Sequence, residues 1–255
     1  MNPAAPRSRR IAAALHLLAS LCVASIAALI VFGVWYPPPY STIAGGLSLF
    51  ILLMSVDVVL GPALTAVAAN PAKPVKQLRR DLAIIVALQV GGLAYGLYSI
   101  SLARPAYLVF EVDRMRVVTA ADIDETTLPE ALPEFRSLPW TGPKLIAAVR
   151  PTNPDEVLRS IDLALGGLDI SMRPSRWREY ASQKDAVLRV ARPVTDLQKQ
   201  YPAAAPELAS IAAKAGKPVS ALRFLPVLAS HSSTVVVIDP VDASVLGFLP
   251  LEGFF

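Results

Sequence analysis

Residues Leu52 to Thr65 read LLMSVDVVLGPALT. One carboxylate, Asp57, sits among residues that are otherwise apolar, small or uncharged. From Ile11 to Val56 there is no Asp, Glu, Lys or Arg, and from Leu82 to Ala103 there is again none. An apolar run of ~20 residues is what an α-helix needs to cross the ~30 Å hydrocarbon core of a bilayer. The stretch around Asp57 therefore decides the fold class. Its helix lies in lipid, and its one acid lies there too.

Working outward, the sequence predicts three transmembrane helices at about 11–36, 43–69 and 82–103. The first 10 residues precede them, and residues 104–255 form an extracytoplasmic domain. A cleaved signal peptide is the alternative for the first run, because RSRR precedes it and ASIAA offers small residues. A signal h-region is only ~7–15 residues, and this run continues past the candidate cleavage site, so a retained anchor is expected. The prolines of WYPPPYSTIAGG, Trp35 to Gly46, stop the first helix. Trp35, Tyr36 and Tyr40 are of the type that settles at a membrane–water boundary.

The charges give an orientation. Arg7, Arg9 and Arg10 precede the first span, and Lys73, Lys76, Arg79 and Arg80 lie between the second and third. The hairpin between the first two spans has no charge. By the positive-inside rule both basic segments face the cytoplasm, which places residues 104–255 on the outer side, the periplasm in a bacterium with two membranes. The chain is 54% hydrophobic and 17% charged, with a net charge of +4. The first 103 residues carry 7 basic and 2 acidic side chains, against 17 and 18 in the remainder. The high pI thus reflects membrane topology, and no nucleic-acid surface is indicated. A single cysteine, Cys22, excludes an intramolecular disulfide.

Residues 104–255 have ordinary soluble composition. Alternation predicts one or two strands over Ala106–Val118 with a turn near Asp113, and a strand at KLIAAV. Asn153 as N-cap, Pro154 at N1 and Gly166-Gly167 at the end predict a helix between them. Helical stretches are expected at Trp177–Arg189, Val194–Gln200 and Pro206–Ala215. A strand at ALRFLPVLA and a terminal hairpin turning at DPVDAS follow. The expected class is a membrane α-helical unit plus an α+β domain with a small antiparallel sheet.

Catalytic signals are absent from this reading. Ser230, His231 and Asp239 lack a nucleophile elbow. No phosphate loop or metal-ligand spacing occurs. Asp122, Asp124 and Glu125 read as a solvated turn or helix start. RPSRWRE, Arg173 to Glu179, reads as a solvated helix with a packed Trp177, or as a site for an acidic partner or lipid head groups. His16 reads as interfacial or packed in the bundle. No catalytic, cofactor-binding or metal residues are assigned, and no cofactor is expected.

Asp57 lies 13 residues before Asn70, ~20 Å from that helix end and near mid-bilayer. A charge there costs ~2.5–3.5 kcal/mol on insertion scales. Gly61 and Thr65 share its helix face, and Pro62 frees the carbonyl of Val58. Gly92 and Gly96 on the third span make a small-xxx-small pair. Three readings of Asp57 stand: a hydrogen bond within the bundle from Tyr95 or Ser25, contact with another membrane protein, or a proton or ion relay.

Four stretches taken together carry a resemblance. They are VFGVWYPPPYSTIAGGLSLFILLMSVDVVLGPALT, LRRDLAIIVALQ, AYGLYSISLARPAYLVFEVDRMRVVTAADI and VVVIDPVDASVLGFLPLEGF. The chain resembles the TfpX/TfpZ family of type IV pilin accessory proteins of the Gram-negative inner membrane. The likeness implies a non-enzymatic role supporting a specific major pilin. Its partners would be that pilin, other inner-membrane pilus assembly proteins and the bilayer. The family's motif positions fall on Trp35, Tyr36, Pro37, Pro38, Asp57, Gly61, Pro62, Arg104, Pro105 and Asp113. With Tyr95, and without Pro105, these are the candidate partner-binding residues. Asp57 would meet the amine at the start of the pilin helix, or, protonated, the glutamate near it. A periplasmic sensor and a pilin-modifying membrane enzyme are the alternatives.

Overall fold

A computed structural model of the chain describes residues 4–70 and 73–255, with side chains from Arg10 onward. The basic residues Arg7 and Arg9 lie outside the described side chains. The chain divides into two units, and each is taken in turn.

Among its described residues the membrane unit holds three helices long and apolar enough to cross a bilayer. α1 spans Ala4–Ile30 and continues as a π-helical turn over Val31–Trp35. A short helix, α2, spans Tyr40–Ile43, and α3 spans Gly46–Ala68. α4 spans Val75–Leu102, so it starts seven residues before the uncharged run at Leu82. Its first turns carry Lys76, Arg79 and Arg80, which a helix end at the membrane boundary tolerates because their long stems reach water. Lys73 bridges to Asp81 at 2.7 Å. α3 packs against both α1 and α4.

Tyr36, at the end of the first span, is fully buried within the protein. Its hydroxyl donates to the Ile100 carbonyl at 3.1 Å, and its ring occupies the space that a side chain at Gly46 would need.

The C-terminal unit comprises Arg104–Phe255 together with Pro38–Gly45, the segment that links the first two spans. Tyr40 stacks edge-on against Phe248, with ring centroids 5.6 Å apart, and burial raises its phenol pKa. Gly45 has φ +74°, and a Cβ there would lie 2.5 Å from the His231 ring. His231 is thus an exposed surface residue packed over a glycine. His231 Nδ1 and Ser230 Oγ share a hydrogen bond of 3.2 Å, but Asp239 pairs with Lys217 and, among the described residues, not with His231.

Eight strands make one sheet: β1 Pro105–Glu111, β2 Arg114–Thr119, β3 Lys144–Ala148, β4 Trp177–Glu179, β5 Arg192–Pro193, β6 Arg223–Leu228, β7 Thr234–Ile238 and β8 Val245–Leu249. The order is β4-β3-β1-β2-β6-β7-β8, with β5 on β6. The α+β class stands, but the sheet is larger than expected and mixed. β1–β3 and β2–β6 run parallel. The reason lies in the proline-rich stretch after β2. It forms 3-10 turns that bring Leu128, Ala131 and Phe135 into the core and return the chain on the far side of β1, where a crossover permits a parallel pair. Every residue of β1 is buried, as its uninterrupted YLVF requires of a central strand.

The helices are α5 Pro154–Leu165, α6 Lys184–Val190, α7 Val194–Gln200 and α8 Ala205–Ala215. Asn153 Oδ1 caps α5 by accepting from the Asp155 amide at 3.0 Å, and Gly216, in the left-handed region, ends α8. Trp177 lies on a strand and not on the expected helix. It is fully buried against Tyr107 and Phe135, and burial pushes the Tyr107 phenol up to about 12. A second core gathers Leu197, Leu208, Leu222 and Phe224 beneath β6–β8.

Four carboxylates of this domain are held below their usual range. The leading cause is the Lys217 ammonium for Asp239, the Thr126 hydroxyl for Asp124, the Ser244 amide for Asp242 and the Phe254 amide for Glu252. A carboxylate whose folded pKa is depressed contributes stability that is complete above its unfolded value, ~3.9–4.3, and is lost as pH falls through the folded value. The urea midpoint of the domain is therefore expected to hold steady down to about pH 5 and to fall progressively below about pH 4. Lys217→Met should remove part of that acid dependence, and a midpoint independent of pH in this window would refute it.

Candidate functional site

α3 turns Leu53, Asp57, Gly61 and Thr65 onto one face, each four residues from the last. Its neighbours meet this row level by level. Leu53 fills the space over Gly96 of α4. Gln89 of α4 donates through Nε2 to Asp57 Oδ1 at 2.8 Å and to the Asp57 carbonyl at 3.2 Å. Thr65 Oγ1 and His16 Nδ1 of α1 share a hydrogen bond of 2.6 Å. Gly61 lies between these two polar pairs. A Cβ there would collide with the Gln89 amide and come within 2.9 Å of His16 Nε2. Glycine is required because two polar side chains from opposite helices converge on it.

The partner of Asp57 is thus Gln89. Tyr95 is 74% exposed, and Ser25 turns back to the Leu21 carbonyl at 2.8 Å; neither reaches the carboxylate. Asp57 Oδ2 makes no hydrogen bond among the described residues. The residue lines two openings. One is an apolar groove of about 550 Å³ between α3 and α4, walled by Leu52, Val56, Leu60, Leu88 and Leu93 and lined further by Gly92 and Tyr95. The other, about 230 Å³, lies between α1 and α4 and holds His16 and Ser20 with Asp57 and Gln89. A side chain at Gly92 would meet only open space. The arrangement offers an elongated apolar surface with one hydrogen-bonding acid on its floor. Among the described residues no group of histidine, cysteine and carboxylate side chains could hold a metal ion.

The other candidate residues lie apart from this site. Pro62 stands inside α3, next to Gly61. Trp35, Tyr36 and Pro37 belong to the turn after α1, and Pro38 to the C-terminal unit. Arg104 is buried in that unit, donating from Nε to the Pro139 carbonyl at 3.4 Å and lying over the Trp140 ring. Asp113 pairs with Arg114 at 2.8 Å in the turn at the far end of β1. Arg104 and Asp113 thus bracket one strand and form no joint site. Sequence reasoning passed over Gln89 and the His16–Thr65 pair. The available signal was the presence of the other strong hydrogen-bonding side chains in otherwise apolar spans.

Comparison with known proteins places this architecture. Residues 5–45 match the family model described as fimbrial assembly protein FimB. The chain is 34% identical over 241 residues to the fimbrial assembly protein of serogroup I of Dichelobacter nodosus, covering 94% of each. It is equally similar, with the same coverage, to the serogroup E1 protein of that organism. It is 43% identical over 117 residues to the protein of serogroups C1 and C2, covering 46% of this chain and 89% of the other. No solved structure matches. Three apolar helices, a mixed α+β domain and likeness over nearly the whole length together make this chain a member of the fimbrial assembly protein family.

Proposed function

We propose that this protein is a non-enzymatic accessory factor of the TfpX/TfpZ kind in the inner membrane of a Gram-negative bacterium. Its N-terminus is cytoplasmic and its C-terminal domain periplasmic. It supports one major type IV pilin by receiving the pilin's membrane helix in the groove between α3 and α4. The observation that carries this reading is Asp57. One carboxyl oxygen is held by Gln89, the other has no partner among the described residues, and the residue lines an apolar groove. A carboxylate kept in lipid with half of its hydrogen-bonding capacity uncommitted is costly unless a partner meets it. A helix bringing an amine or another donor to that depth supplies what is missing.

The test is substitution at Asp57, with total pilin followed by immunoblot and surface pili by shearing. Asp57→Leu is expected to lower surface pili at least ~10-fold, which corresponds to ~1.4 kcal/mol of lost contact. Asp57→Asn, which keeps an acceptor for Gln89, should retain an intermediate level. A fall in total pilin assigns the action to the membrane pool of pilin, and loss of surface pili alone assigns it to assembly. Wild-type pilin and piliation in both variants would sink the proposal.

A further inference from the structure

The C-terminal domain carries a helix that buries none of its side chains. α5 is well capped, yet Val157, Leu158, Ile161 and Leu165 are 39, 64, 51 and 83% exposed. With 3.6 residues per turn these four and Ala164 fall on a single arc about 120° wide. A helix of this length is marginal in water by itself. An amphipathic helix whose apolar arc faces solvent lacks the packing that such an arc normally serves.

The surroundings of the arc carry charge on both flanks. On one side it borders a groove of about 720 Å³. Val157, Ile161 and Ala164 form one wall, and Pro151, Ile170 and Leu228 the other. Three arginines stand at this groove. Arg116 is held by Asp169, with Glu111 3.9 Å away, and Arg114 by Asp113. Arg150 is exposed and has no carboxylate partner among the described residues. On the other flank, beyond Leu158, Asp155 and Asp162 are exposed and carry no ion pair among the described residues. The apolar arc is thus bordered by an uncommitted cation on one side and uncommitted anions on the other.

We propose that α5 and this groove receive an amphipathic helix of another protein. Its apolar stripe would be flanked by a carboxylate that meets Arg150 and a basic residue that meets Asp155 and Asp162. A second copy of this chain fits less well. Two α5 helices crossing at Ile161 would bring their Asp162 side chains together near the twofold axis. An anionic membrane surface fits less well, because α5 itself carries Asp155, Glu156 and Asp162 against Arg159 alone, opposite to the basic polar face of a membrane-surface helix.

The proposal is independent of the membrane groove, and its test uses the full chain in lipid nanodiscs. Two labelled helical peptides of about 18 residues, five turns, share one leucine stripe. The first has glutamates on one flank and lysines on the other; the second has lysines on both. Fluorescence anisotropy is expected to show the first binding at least ~10-fold more tightly. Arg150→Glu should reverse that order, Ile161→Asp should abolish binding of both, and Asp57→Leu should leave both unchanged. Both substituted side chains are exposed, so the circular dichroism spectrum should stay as in the wild type. Absence of binding, equal binding of the two peptides, or an order unaffected by Arg150→Glu overturns the proposal. So does displacement of the peptide by phosphatidylglycerol vesicles, or a chain dimer in sedimentation that Ile161→Asp dissociates.

Discussion

Gly61→Leu is expected to cost the membrane unit its helix packing and the cell its surface fimbriae. The Cβ alone collides with the Gln89 amide and crowds His16 Nε2. The remaining atoms of leucine would have to enter space held by two polar pairs. Overpacking of this kind costs ~1–3 kcal/mol and sometimes more. Here it also pulls Gln89 from Asp57, leaving a half-buried carboxyl within the apolar helices with neither oxygen satisfied, a further ~1 kcal/mol. Membrane-fraction immunoblots should show the protein strongly depleted. Gly61→Ala is the finer probe, since only the Cβ is added. It should be destabilising alone and much less so when combined with Gln89→Ala, which vacates the colliding amide. A double-mutant cycle that gives simple additivity would show that Gln89 does not hold this position.

Trp177→Ala should unfold the C-terminal domain under conditions where the wild type is fully folded. Trp177 is completely buried, lies 4.7 Å from Tyr107 between ring centroids, and donates from Nε1 to the Ser171 carbonyl at 2.8 Å. Truncating a buried tryptophan costs ~3–5 kcal/mol, a large share of the ~5–15 kcal/mol available to a typical domain. Limited proteolysis of the membrane-embedded protein should release fragments of residues 104–255 in Trp177→Ala but not in wild type. Trp177→Phe keeps most of the packing and loses the hydrogen bond, so it should fall between the two. Equal protease resistance in all three would mean that the core does not depend on this ring.

The elements with a local signal were legible in the sequence. The three apolar runs, the Asn153-Pro154 start of α5 and the turn at DPVDAS are each fixed by neighbours in the chain, and the structure has all of them. The polar site was half legible. Asp57, Gly61 and Thr65 share a face by helical period alone, but Gln89 and His16 come from other helices, and no periodicity reports which faces of two helices meet. Trp177 misled for the same reason. Its flanking arginines suggest a solvated helix, whereas its indole is drawn into a core assembled from Tyr107 and Phe135, far away in the chain. The parallel pairing of β1 with β3 was hidden as well, because the connection that makes it is irregular backbone without period.

The Tyr40–Phe248 contact has a consequence for biosynthesis. These rings are 208 residues apart in the chain. Closing a free loop of that length costs about 5 kcal/mol of chain entropy before any contact repays it. A little over a quarter of this loop, residues 45 to 104, is spared that cost, because its two long apolar helices, when they cross a bilayer, return the chain to the side it left. Membrane insertion thus shortens the search before the C-terminal residues exist. The exposed hairpin then waits through the synthesis of the whole following domain, and Tyr40 finds its partner only when β8 has emerged. A ribosome stalled before Val245 would leave this protein inserted but with its hairpin still accessible to protease.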